Sequence, residues 1–159
     1  MKKILITLAP LIFGALSWLV VSDAAVSYQM LVRPPLSPTS WVFPAVWTVL
    51  YIMMGTASLR IYSSADSDRT NALYLFYIQL AVNIIWPFIF FGLCQYLVAF
   101  LWIILLWLLV LDTTVTFGSI DRRAGFLLIP YMLWISFAAY LNLAVFFLNW
   151  DWGIYLNLS

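Results

Sequence analysis

Apolar and polar positions along the chain fall into five long hydrophobic runs separated by short polar breaks. The runs are Ile4 to Val21, Trp41 to Ile61, Leu73 to Phe91, Tyr96 to Phe117 and Phe126 to Leu148. An apolar helix of about 20 residues rises 1.5 Å per residue and so covers the roughly 30 Å of bilayer hydrocarbon. The pattern therefore predicts an all-α integral membrane protein, a single domain built as a five-transmembrane-helix bundle. Asp66-Ser-Asp-Arg-Thr-Asn71 separates the second run from the third, with Thr70 or Asn71 suited to cap the third helix. Gly118 to Gly125 separates the fourth from the fifth. Only Gly92-Leu-Cys-Gln95 lies between the third and fourth, which predicts an antiparallel helical hairpin. Between the first two runs stands a loop over about 23–40 with Pro34, Pro35 and Pro38. These prolines fix φ and leave little loop entropy to lose on folding. Ser40 can cap the second helix, and Pro44 suits its first turn.

Met1-Lys-Lys before the first run and Ser22-Asp-Ala-Ala25 after it also fit a cleaved signal peptide. The run is about 18 residues, longer than a signal core of roughly 7–15, which favours a retained helix. An odd number of spans puts the termini on opposite sides. Lys2, Lys3, Arg60, Arg69, Arg122 and Arg123 collect at one side, and Arg33 stands at the other. Basic residues stay cytoplasmic, so the expectation is a protein of the bacterial cell membrane with a cytoplasmic N-terminus and the Pro-rich loop and C-terminus outside.

Composition sharpens this picture. Of 159 residues, 66% are hydrophobic, 19% aromatic and 8% charged, more apolar surface than a soluble domain of this length can hide. The expected partner is the lipid bilayer. A net charge of +1 without a basic patch argues against nucleic acid. Histidine is absent, glutamate is absent, and Cys94 is the only cysteine. That excludes a histidine-ligated haem or metal, a Ser-His-Asp triad and an intrachain disulfide. No cofactor or metal is required by anything in the chain.

Three stripes of rings and amides share helical faces. Phe43, Trp47 and Tyr51 recur at i, i+4 and i+8 in the second helix. Gln79, Asn83, Trp86 and Phe90 fall at i, i+4, i+7 and i+11 in the third, and Trp134, Phe137, Ala138, Leu141 and Asn142 at i, i+3, i+4, i+7 and i+8 in the fifth. Converging stripes would form an apolar, flat-walled cavity with a few polar anchors. The alternative is ordinary packing or an interfacial aromatic belt. Gln79 and Asn83 fall mid-span, where an amide must bond another helix or a ligand. Pro87 deprives the Asn83 carbonyl of its helical donor, which either presents a free acceptor or marks a repaired kink. Asp112, late in the fourth helix, is expected to be structural and near the interface. The Pro-rich loop would act as a lid holding Tyr28 and Phe43 above Trp47 and Tyr51; a plain stiff turn is the other reading.

The second run and its preceding loop, Gln79-Leu-Ala-Val-Asn83 with Trp86-Pro-Phe-Ile-Phe-Phe-Gly92, and Leu128-Ile-Pro-Tyr-Met-Leu-Trp-Ile-Ser-Phe-Ala138 with Leu141-Asn142 resemble the tryptophan-rich sensory protein, or translocator protein, family (peripheral benzodiazepine receptors). The likeness implies a membrane receptor for tetrapyrroles such as protoporphyrin IX, taken as ligand or substrate, and for flat benzodiazepine-site ligands. It further implies light-dependent porphyrin breakdown in some bacterial members. Trp47 and Trp134 would then be the catalytic pair, giving an electron to the excited ring or enclosing the reactive oxygen it makes. Asn83 would position that ring. The chain departs from the family in reading Asn83-Ile-Ile-Trp86, with one ring fewer, and in carrying Cys94 where an arginine is usual. Leu143 to Asn149 lacks the tyrosine and basic residue of the animal cholesterol-recognition pattern. The small-xxx-small pattern of the third helix aligns with Tyr74 and Ile78, leaving a homodimer open. An uncoupled porphyrin or lipid translocator is the alternative function, and a structural partner subunit is a third; no inverted repeat or mid-span coupling carboxylate supports secondary transport.

Overall fold

The computed structural model describes residues 6–12, 14, 31–39 and 41–150. Tyr28, Asp23 and Ser40 lie outside the described residues, as does the rest of the first run. Helix α1 is described over 6–12. Four longer helices follow: α2 (Val42–Tyr62), α3 (Arg69–Pro87), α4 (Tyr96–Ile120) and α5 (Arg122–Leu148). A π-helical turn, Phe88–Gly92, extends α3 without a break. Among the described residues there is no strand. The four long helices, counting α3 with its π turn, are each long and apolar enough to cross a membrane. With α1 they make five described helices.

The helices run past the apolar stretches at their polar ends. α3 starts at Arg69, with Asp68 as its N-cap and no side-chain bond to the cap, so neither Thr70 nor Asn71 caps it. The turn before it is instead held by Asp66 Oδ1 accepting from the Asp68 N–H at 2.8 Å, and by Arg69 donating to the Ser64 carbonyl at 2.8 Å. α5 starts four residues before the apolar run because Asp121 caps it, accepting from the Arg123 and Ala124 N–H groups at 2.9 and 3.4 Å. Such a cap satisfies donors that the first turn leaves orphaned.

The long helices pack in a ring, α2 beside α5, α5 beside α4, α4 beside α3 and α3 beside α2. The α4–α5 pair is in the most extensive contact. The close approach of the two helices beside Asp121 needs glycine at 125: a Cβ there would lie 2.7 Å from the Gly118 Cα. Helix α1 rests on α2, where Gly55 leaves room for the Thr7 backbone. Met54, Phe76, Phe117, Leu128 and Tyr131 are wholly buried at the centre. Aliphatic side chains stand exposed on all four long helices, as expected where lipid is the solvent.

One end of the bundle carries Arg60, Arg69, Arg122 and Arg123, and there Arg60 reaches across to Asp121 at 2.7 Å. At the opposite end the Pro-rich segment is fastened to α5. Asn149 accepts from the Val32 N–H at 2.9 Å and donates to the Val32 carbonyl at 3.0 Å. Tyr140 donates to the Pro35 carbonyl at 3.1 Å.

Candidate functional site

The centre of the bundle holds a directed chain of hydrogen bonds. Tyr51 of α2 donates to Asn83 Oδ1 at 3.3 Å, and the Asn83 amide donates to the Tyr131 hydroxyl. Tyr131 of α5 then donates to Gln79 Oε1 at 3.1 Å. The chain stops there: Gln79 Nε2 is buried without an acceptor. All four residues are buried. α3 and α5 lie diagonally opposite in the ring, and these side chains bridge that diagonal. Asn83 thus takes the interhelical bonding that its mid-span position demanded.

Rings from α2 and α5 surround this chain. Trp47 stacks on Tyr51, centroids 5.3 Å apart, and meets Tyr131 edge-on at 6.1 Å. Phe43 meets Trp134 edge-on at 6.0 Å, and Trp134 leans on Phe137 at 5.7 Å. Both indoles are half-buried and pack toward the same helix interface, but each meets a different ring of the opposite helix. The Trp134 N–H is buried and without a partner. Beside them a groove of about 550 Å³ runs between α2 and α5, lined by Val46, Leu50, Met53, Leu133, Trp134 and Phe137 among others. It is apolar and opens sideways, between the helices.

The remaining stripe residues form a second cluster. Trp86 donates to Asn142 Oδ1 at 3.1 Å, and Asn142 donates to the Tyr96 carbonyl at 2.8 Å. Trp86 stacks on Phe90 at 5.2 Å, and Phe90 meets Tyr96 edge-on at 5.2 Å. Leu31 of the Pro-rich segment packs on this cluster. Ala138 is half-buried against the main core. The sequence-predicted stripes therefore divide in two: Phe43, Trp47, Tyr51, Gln79, Asn83, Trp134 and Phe137 around the hydrogen-bonded chain, and Trp86, Phe90 and Asn142 beside Tyr96.

Tyr131 touches Trp47, Asn83 and Gln79, and it stands outside the three predicted stripes. Its signal was present, since it lies three residues before Trp134 and seven before Ala138 on the same face. Pro87 leads directly into the π turn, where the Leu93 N–H reaches the Phe88 carbonyl at 2.9 Å. An indole from α4, Trp102, donates to the Val82 carbonyl at 2.8 Å, one residue from Asn83. Asp112 is exposed on α4, away from the centre. Among the described residues no group of three acids or cysteines could hold a metal.

An all-helical membrane protein with an aromatic shell around a buried polar chain is the class that this architecture defines. The chain belongs to the TspO/MBR family, whose model matches residues 6–148. It is 40% identical over 124 residues to the tryptophan-rich protein TspO of Chlorobaculum tepidum, covering 77% of this chain and 78% of the relative. It is 38% identical over 124 residues to the protein CrtK of Rhodobacter capsulatus, covering 77% and 78%. The similarity extends to the translocator protein of Homo sapiens, 34% over 128 residues, covering 79% and 76%.

Proposed function

We propose that this protein is a membrane receptor for flat apolar ligands, tetrapyrroles of the protoporphyrin IX kind among them, and that it binds them where α2 and α5 meet. The observation that carries the reading is an apolar groove walled in part by Trp134 and Phe137, with Phe43 edge-on against Trp134 and Trp47 packed on the adjoining core. Its volume of about 550 Å³ lies within the range of small-molecule sites. Aromatic walls favour a planar molecule by burial and by offset or edge-on ring contact. Membership in a family that includes tryptophan-rich proteins and translocator proteins supports the same reading. We place all five helices across a bacterial cell membrane, with the arginine-rich end cytoplasmic.

The sideways opening of the groove favours a second reading, uncoupled passage of such ligands between bilayer and protein. Titration of purified protein with protoporphyrin IX, followed by tryptophan fluorescence, tests binding. Saturable quenching is expected, weakened about tenfold or more by Trp134→Ala in a variant that keeps its helical circular dichroism. Absence of saturable quenching in the wild type would overturn the receptor reading. Porphyrin efflux from liposomes, with and without the protein, separates passage from binding alone.

A further inference from the structure

Helix α4 turns Ala99, Ile103, Leu106, Val110, Thr113 and Phe117 inward. Its outward face is almost uniformly aliphatic, with Leu101 60%, Leu108 54% and Val115 63% exposed. Asp112 stands exposed in that face. It lies nine residues before the Asp121 cap, about 13 Å along the axis, and a helix of this length overhangs the hydrocarbon by only a few ångströms at each end. The carboxylate is therefore on the order of 10 Å inside the apolar layer, deeper than the interfacial position expected from the sequence because α4 continues to Ile120, and too deep for so short a side chain to reach water.

None of the described residues offers it a donor. The neighbouring Thr113 and Thr114 hydroxyls are turned to the Leu109 and Val110 carbonyls, each at 2.7 Å. Arg60 is engaged with Asp121, Arg122 lies over the Phe126 ring, and Arg69 and Arg123 are at the same end of the bundle. A lipid-facing carboxylate is costly to insert, and such groups are rare unless paired. A second copy is a poor partner, because the described arginines sit at the bundle end or in the Pro-rich segment, not at the depth of Asp112. Two α4 faces brought together would set carboxylate against carboxylate.

We infer that this face of α4 docks a transmembrane helix of a different protein, one that presents an arginine or lysine to Asp112. The leucine face supplies the packing, and the buried ion pair supplies register and choice of partner. The site is separate from the α2–α5 groove.

The test uses the full chain in liposomes, labelled at its single exposed cysteine, Cys94. Energy transfer is measured to a synthetic poly-leucine transmembrane peptide bearing one arginine at the Asp112 depth. Controls carry leucine there, or the arginine one and a half turns away. The arginine peptide should associate about tenfold or more tightly than either control, with Asp112→Asn abolishing the difference and Asp112→Glu keeping it. Thermal unfolding confirms that Asp112→Asn is folded. Equal association of the arginine peptide with wild type and Asp112→Asn overturns the inference. So does insensitivity to the depth of the arginine. Asp112-dependent transfer between two labelled copies, with none to the peptide, would assign the face to self-association and overturn it as well.

Discussion

The Asn83 amide and the Tyr131 hydroxyl are hydrogen-bonded across the bundle, joining helices that lie diagonally opposite in the ring. Because Tyr131 also donates to Gln79, and Asn83 accepts from Tyr51, this one contact ties α2, α3 and α5 together. Polar bonds of this kind between membrane helices average only about 0.6 kcal/mol, yet leaving one partner buried and unmet costs more.

Tyr131→Phe should therefore be more damaging than the loss of one hydroxyl suggests. It leaves the Asn83 amide and the Gln79 carbonyl oxygen unpaired in a wholly buried position. The expected loss is about 1–3 kcal/mol, read as a lower thermal midpoint in detergent. Tyr51→Phe, which removes a single 3.3 Å bond, should cost less. The double variant Tyr131→Phe with Asn83→Leu should fall short of the sum of the single losses.

The sequence carried the long helices almost in full because lipid imposes a simple rule: every backbone group is paired within an apolar run. Thus α2 occupies Val42–Tyr62 against a run of 41–61, and α4 starts at Tyr96 where its run starts. What lay outside that rule was set by single polar contacts. Asp121 draws α5 back to Arg122, and Asp66 with Arg69 draws α3 back to Arg69. The stripes placed Trp47, Asn83 and Trp134 on inward faces, since period alone fixes which side a residue occupies. Period does not fix which inward residues touch. Hence the separation of Trp86 and Asn142 from the Tyr51–Asn83–Tyr131 chain was not legible, and neither was the clasp of Val32 by Asn149, 117 positions away.

Stability should respond to acid through Asp121. Burial raises its carboxyl, but the Arg60 guanidinium and the Arg123 and Ala124 N–H groups outweigh that and hold it below the usual carboxylate range. A depressed folded-state value contributes stability above the unfolded carboxylate pKa, near pH 4, and that contribution is lost as pH falls through the folded value. The wild-type thermal midpoint should drop on acidification below about pH 4. Asp121→Asn should start a few degrees lower at neutral pH and show a shallower fall. A parallel fall in both proteins would assign the acid sensitivity to other groups.

Gly118 and Gly125 face one another but are not equivalent. A Cβ on Gly125 would meet the Gly118 Cα at 2.7 Å, its N at 3.0 Å and the Thr114 carbonyl at 3.1 Å, all backbone. A Cβ on Gly118 would meet only the Gly125 Cα at 4.0 Å, an ordinary contact. Gly125→Ala should therefore push α4 from α5 and cost about 1–3 kcal/mol. Gly118→Ala should be neutral or slightly stabilising, because alanine favours the helix by roughly 0.5–1 kcal/mol. Thermal midpoints of the two variants decide it, and a reversal of their order would show that the turn is packed differently.

Trp134 lines the proposed groove and Trp47 packs on the adjoining core; the two indoles differ in what stands behind them, and that difference should appear under light. Trp47 is backed by the phenols of Tyr51 and Tyr131, whereas Trp134 has Phe43 and Phe137. If a bound porphyrin takes an electron from a tryptophan on excitation, the Trp47 radical cation can be refilled by an adjacent tyrosine, a more readily oxidised ring than phenylalanine. Trp134 has no such donor among its ring neighbours. Under illumination in the presence of dioxygen, loss of porphyrin absorbance should slow more in Trp47→Phe than in Trp134→Phe when both variants are saturated with ligand. Tyr51→Phe should give an intermediate rate, since Tyr131 still borders Trp47. Unchanged rates in both tryptophan variants would leave these side chains without a redox role and assign the photochemistry to the porphyrin and dioxygen alone.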